Sequence, residues 1–171
     1  MAVKSNIGIK RITALTVAVM LPIMLIFTGC GKRLTEQEYA DGLYAVFKEY
    51  LVALEEIENV RSDVSSSQEI MLEQTKATEI CQNAEKVLKK FDKMNPPEKF
   101  SDKHKTLLAA VEYEKEFVRA SQKVLTARTP FEYEQYSIEA AMVFAGVPEE
   151  QQFGAVLTDI ILEIKNTSNS E

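Results

Sequence analysis

Tryptophan is absent from this 171-residue chain, cysteine occurs twice, histidine once, and aromatic residues make up only 8%. Two cysteines cannot build a disulfide-dense scaffold, and with one histidine they fall short of the ligand set of a structural zinc site. Only six glycines are present, with no Gly-rich phosphate loop and no Gly-x-Ser-x-Gly elbow. Lysine and arginine (20) are outnumbered by aspartate and glutamate (26), and a net charge of −6 argues against nucleic acid as a partner. What remains is ordinary for a globular protein: 46% hydrophobic and 27% charged residues, at a length that suits one domain.

The first thirty residues read as an address. Lys4, Lys10 and Arg11 form a basic start without an acid, and Ile12 to Thr28 is a 17-residue run without charge. Such a run spans about 25 Å as a helix, short of a ~30 Å hydrocarbon core, and Pro22 interrupts it. A basic region, an apolar region and small residues before a break describe a secretory signal peptide. The run ends in Phe27-Thr28-Gly29-Cys30. It resembles the lipobox of bacterial lipoproteins, in which the Cys receives a diacylglyceryl thioether and the segment before it is removed. Phe27 stands where that pattern most often has Leu. Gly31, in place of an Asp, fits a Gram-positive surface lipoprotein. The resemblance implies a chain cut before Cys30, lipidated on that residue and held on the extracytoplasmic face of the cell membrane. The mature net charge would then be near −9, since residues 1–29 carry three positive charges and no negative ones.

The rest reads as helices. Thr35 and Glu38 form a capping box, with Leu34 and Tyr39 as a hydrophobic staple. Apolar residues from Tyr39 to Ile57 recur at helical spacing and predict a helix over 36–60. A polar break follows at 62–67, with Ser66 and Glu69 as a second capping box. Ile70, Ala77, Cys81, Ala84, Leu88 and Phe91 predict a second helix, which must stop by Asn95 because Asn95-Pro96-Pro97 disfavours the α region. Ser101 is the expected cap of a third helix ending near Arg128. Thr129-Pro130-Phe131-Glu132 is the clearest start signal: cap, Pro at the first helical position, and Glu three after the cap. That fourth helix runs to about Ala145, where Gly146 offers a C-terminal cap and Pro148 opens a last apolar segment. The expected fold is all-α, an antiparallel four-helix bundle whose last helix breaks near Gly146–Pro148, preceded by a signal-peptide helix. The expected organisation is a signal peptide over 1–29, a lipid-anchored tether over 30–34, the bundle over 35–165 and a disordered tail over 166–171. With so short a tether, the folded domain is expected close to the bilayer.

No catalytic constellation emerges. His104 is the lone histidine and has no partner at metal-ligand spacing, which favours a structural or solvent role. Cys81 falls on the apolar face and reads as a small packing residue. Glu112, Glu114 and Glu116, and Glu55, Glu56 and Glu58, read as solvated outer faces. No Glu-x-x-His pair suggests a di-iron bundle site. The expectation is therefore no enzyme, no metal and no cofactor. The alternative is a carrier or sensor holding a small apolar ligand, haem or metal inside the bundle, with Tyr39, Tyr50, Tyr113, Tyr133 and Tyr136 as polar handles.

One charge feature stands out. Lys86, Lys89, Lys90, Lys93, Lys99, Lys103 and Lys105 crowd residues 86–105 against only Asp92, Glu98 and Asp102, a window near +4 in a mature chain whose remainder is near −13. A first helix leaving the membrane and a second returning to it would bring this basic hairpin to anionic head groups, where each lysine is worth roughly 1 kcal/mol. Complementing the negative end of helix 2 is the competing role of these lysines. The segment Met94-Asn95-Pro96-Pro97-Glu98-Lys99-Phe100, followed by His104 and Leu107-Leu108, also resembles small uncharacterised lipoproteins of Gram-positive bacteria across roughly residues 30–125. That resemblance implies a location and a helical fold, and no activity. The expected partners are membrane lipid through Cys30, anionic head groups and an envelope protein, in a non-catalytic interaction role.

Overall fold

Two reciprocal hydrogen bonds start the first helix: Thr35 N–H donates to Glu38 Oε2 (2.8 Å) and Glu38 N–H donates to Thr35 Oγ1 (3.2 Å). The capping box read from the sequence is therefore in place. The computed structural model describes residues 32–66 and 74–168. These form five helices: α1 (Glu36–Ser66), α2 (Gln74–Leu88), α3 (Ser101–Leu125), α4 (Pro130–Met142) and α5 (Phe153–Ser168). Single 3-10 turns stand at Phe91–Lys93, Glu98–Phe100 and Glu149–Gln151, and no strand occurs among the described residues. Cys30, the expected signal-peptide helix, Glu69 of the second capping box and Ile70 lie outside the described residues.

Several helix ends differ from expectation. Helix α1 continues to Ser66 through the polar stretch, because that stretch contains neither Pro nor Gly to stop it. Helix α2 does stop before Asn95, as expected, and already at Leu88. The chain tightens there through i→i−3 bonds, Lys90 N–H to the Val87 carbonyl (2.9 Å) and Met94 N–H to the Phe91 carbonyl (3.1 Å). This tightening turns both Phe91 and Met94 into the core. Ser101 is not the cap of α3: the 3-10 turn before it runs directly into the helix, and its hydroxyl donates to the Pro97 carbonyl instead. Helix α3 ends at Leu125, three residues short of Arg128. Thr129 does cap α4, accepting from Glu132 N–H (3.1 Å), with Pro130 at the first turn. Gly146, at φ +86°, supplies the left-handed residue after α4. Asn166, Thr167 and Ser168 continue α5, so the helix extends into the stretch expected to be a disordered tail.

Helix α3 is the hub. It contacts α1, α2, α4 and α5, while α1 also contacts α2 and α5. The core lies among α1, α2, α3 and α5, where Leu43, Ile57, Leu88, Leu107, Leu157 and Ile160 are fully buried. Leu34 N–H donates to the Asn95 carbonyl (3.0 Å), which ties the start of α1 to the α2–α3 turn. Helix α5 runs antiparallel to α3: its Asp159 and Glu163 meet Lys103, and Thr167 accepts from Lys99 Nζ (3.2 Å). Helix α4 instead lies along the second half of α3, where Phe144 beyond its end meets Phe117 (ring centroids 5.5 Å apart) and Glu139 pairs with Lys123. A small separate core of Ala120, Val124 and Ala140, with Phe117, Tyr133, Tyr136 and Val143 around it, joins α4 to α3.

Candidate functional site

Residues three and four apart share a helix face, so the stripe of α3 that carries Leu107, Val111 and Val118 also carries His104, Glu114 and Lys115 inward. Each of these polar groups meets a partner from another element. Tyr39 of α1 and His104 share a hydrogen bond, Oη to Nδ1 at 2.9 Å, with their rings edge to face at 5.7 Å. Burial holds the Tyr39 hydroxyl protonated well above its ordinary range. Burial also lowers His104, with Asp92 opposing, so the imidazole is neutral at pH 7.

Half-way along α1 and α3, Tyr50 Oη donates to Glu114 Oε2 at 2.7 Å. Burial raises the Glu114 carboxyl, and the Tyr50 hydrogen bond opposes it. Beside this pair Phe153, the first residue of α5, meets Tyr50, Phe91 and Phe47 with ring centroids 5.9, 5.4 and 5.8 Å away. Lys115, only 5% exposed, sends Nζ to Glu112 (2.7 Å) and Asp92 (3.1 Å). Burial pulls this amine down, but bonds to Glu112 and Asp92 outweigh it and hold the group above its usual value. Glu114 is thus a correction to the reading of all three α3 glutamates as solvated: Glu112 and Glu116 are exposed, while Glu114 is half-buried and bonded.

Cys81 is buried, and burial, with Glu85 adding, pushes its thiol up to about 11. It packs as a neutral small apolar group. Tyr39 and Tyr50, expected as handles for a carried ligand, are engaged by His104 and Glu114, and Tyr133 and Tyr136 lie against α3. Tyr113 is exposed. Among the described residues no three His, Cys, Asp or Glu side chains gather at metal-ligand distance. Two concavities among the described residues are open surface grooves, one of about 620 Å³ along α5 at Asp159, Glu163 and Thr167, one of about 430 Å³ between α3 and α5 at Lys103, Thr106 and Ile160.

The seven lysines of the basic hairpin fall at the end of α2, in the turn and in the first turns of α3. Lys90 pairs with Glu49 (2.6 Å), Lys103 with Asp159 (2.5 Å) and Glu163 (2.6 Å), Lys99 with Glu36 (3.9 Å) and Glu163 (4.0 Å). Lys89, just past α2, pairs with Glu85 of that helix, and Lys105 pairs with Asp102 within α3. Lys86 and Lys93 are exposed and stand in no ion pair among the described residues. No described helix is long and apolar enough to cross a membrane. The chain matches no family model, no curated protein and no solved structure.

Sequence reasoning missed the pairs Tyr39–His104 and Tyr50–Glu114, whose members stand 65 and 64 residues apart. Their common signal is a polar residue in phase with an apolar stripe. Replacing Tyr39 by Phe leaves His104 Nδ1 buried without that partner and is expected to cost about 1–3 kcal/mol. His104 also gives a pH dependence of known sign. Its folded value lies below the unfolded 6.5, so its contribution is whole above 6.5 and is lost as pH falls through the lowered folded value. Urea unfolding between about pH 7.5 and 5 is expected to show this loss, and His104→Gln to remove it.

Proposed function

We propose that this chain is a lipid-anchored extracytoplasmic lipoprotein whose helical domain acts by binding another macromolecule and performs no catalysis. The lipobox-like Phe27-Thr28-Gly29-Cys30 supports the anchor, and the Pro-Pro-Glu turn with its following His104 supports kinship with small Gram-positive lipoproteins. The domain reads most simply as an antiparallel four-helix bundle in which α4 and α5 together make the fourth member, lying on successive halves of α3. The short tether, Gly31 to Leu34, holds it near the bilayer. The Leu34–Asn95 hydrogen bond supports a basic α2–α3 turn at the anchored end, with Lys86 and Lys93 as the lysines most available to anionic head groups.

One observation carries the interaction reading over carriage. Inside the helices Tyr39 is engaged by His104 and Tyr50 by Glu114, with the Ser121 and Ser137 hydroxyls left as buried groups without a partner, whereas large apolar side chains stand outside: Phe131 is 73% exposed, Met142 62% and Ile138 59%. A carrier directs polar groups into a cavity for its ligand; a docking domain leaves apolar surface for its partner. Native mass spectrometry of the protein extracted in mild detergent from its own membranes separates the two. The expected spectrum holds the lipidated chain, alone or with a protein partner. A reproducible small-molecule mass released on denaturation would replace this reading with carriage.

A further inference from the structure

Helix α4 has two faces. Tyr133, Tyr136 and Ala140 turn toward α3, and Ala140 alone is a buried residue of the helix. On the other side Phe131, Ile138 and Met142 follow at spacings of seven and four, which places them within about 20° of one line along the helix. The line is about 16 Å long, at 1.5 Å per residue. Three large apolar side chains on one line, each more than half exposed, form a ridge with no partner among the described residues.

Helix α4 itself carries acid and no base. Its carboxylates are Glu132, Glu134 and Glu139, with Arg128 standing just before the Thr129 cap. Of the α4 carboxylates, Glu132 accepts from Arg128 N–H and Glu139 is taken by Lys123. Glu134, exposed and in no ion pair among the described residues, stands between Phe131 and Ile138 on the outward side. An apolar ridge edged by the unpaired Glu134 complements an apolar partner edged by base. A second copy of α4 would set acid against acid, and an anionic bilayer would repel the same groups.

From this we infer that the outer face of α4 is a docking site for a cationic amphipathic helix, a segment whose apolar stripe is flanked by lysine or arginine. This rests on the interaction reading above and names the chemistry of the partner. Phe131, Ile138 and Met142 enter the partner's stripe, and Glu134 pairs with a flanking cation.

The test uses the full chain in nanodiscs of phosphatidylcholine, with benzoylphenylalanine in place of Gln135 on α4 or, as a control, of Glu56 on the outer side of α1. The probe is a synthetic peptide of about 18 residues with leucine and lysine at helical spacing, compared with its leucine–glutamate counterpart. The expected result is a photo-adduct of the lysine peptide at 135, absent at 56 and absent with the glutamate peptide. Phe131→Ser with Ile138→Ser is expected to lower its yield roughly tenfold, and Glu134→Lys, an exposed change that leaves the fold alone, roughly fivefold. Equal labelling at positions 135 and 56, or by both peptides, would overturn the inference. So would an adduct to a second copy of the chain, which makes the face a self-association surface, or to lipid, which makes it a membrane contact. If the peptide fails while a whole protein crosslinks at 135 in native membranes, the partner chemistry is wrong and the interaction reading stands. A bound small molecule by native mass spectrometry would remove the interaction reading itself.

Discussion

Replacing Phe153 by alanine is expected to destabilise the folded domain by about 3–5 kcal/mol, the range for a large buried aromatic lost from a core. Phe153 opens α5 and is buried, and its ring meets three others from α1 and the turn after α2. Edge-to-face pairs add about 0.5–1.5 kcal/mol each beyond burial, so the vacancy loses both area and geometry. The Tyr50–Glu114 hydrogen bond borders the same site, and water admitted there would compete for it. A domain stable by about 5–15 kcal/mol gives up a large share of its margin. The contrast is Phe131→Ala on the outer face of α4. That side chain is mostly exposed, and its removal is expected to change stability by less than about 0.5 kcal/mol. Urea or guanidinium unfolding of the two variants gives both values, and equal midpoints would contradict the packing described here.

The second large effect is on the proposed anchor. Two acyl chains, at about 0.8 kcal/mol per buried methylene, contribute more than ~10 kcal/mol of membrane affinity. Replacing Cys30 by alanine removes the only thiol to which a diacylglyceryl group could attach at the end of the lipobox-like run. The variant is expected to take up no labelled acyl chain. Labelling that persists in Cys30→Ala would refute the assignment.

What the sequence revealed and what it hid divide along a physical line. The caps at Thr35 and Thr129 were legible because each is a contact between residues three apart, fixed by local geometry. Pro96-Pro97 and Gly146 were legible because they limit their own backbone. Where α2 stops was not, because Leu88 ends it for the sake of turning Phe91 and Met94 inward, a demand set by the other helices. The serines near residue 62 gave a false stop for α1, since polarity weakens a helix without blocking it. Glu114 was hidden by its neighbours: Glu112 and Glu116 repeat every second residue, but at 100° per residue only Glu114 aligns with Val111 and Val118. The lysines of the hairpin were visible as a cluster, but the carboxylates that engage Lys90, Lys99 and Lys103 come from α1 and α5. No spacing rule within residues 86–105 contains them.

The central claim is that this is a lipid-anchored binding domain, and its anchor is open to one direct reading. The intact mass of the protein, extracted from its own membranes and measured under denaturing conditions, is expected to correspond to a chain beginning at Cys30 and carrying a diacylglyceryl group. A mass that still includes Met1, or a shorter chain without any acyl group, would contradict it.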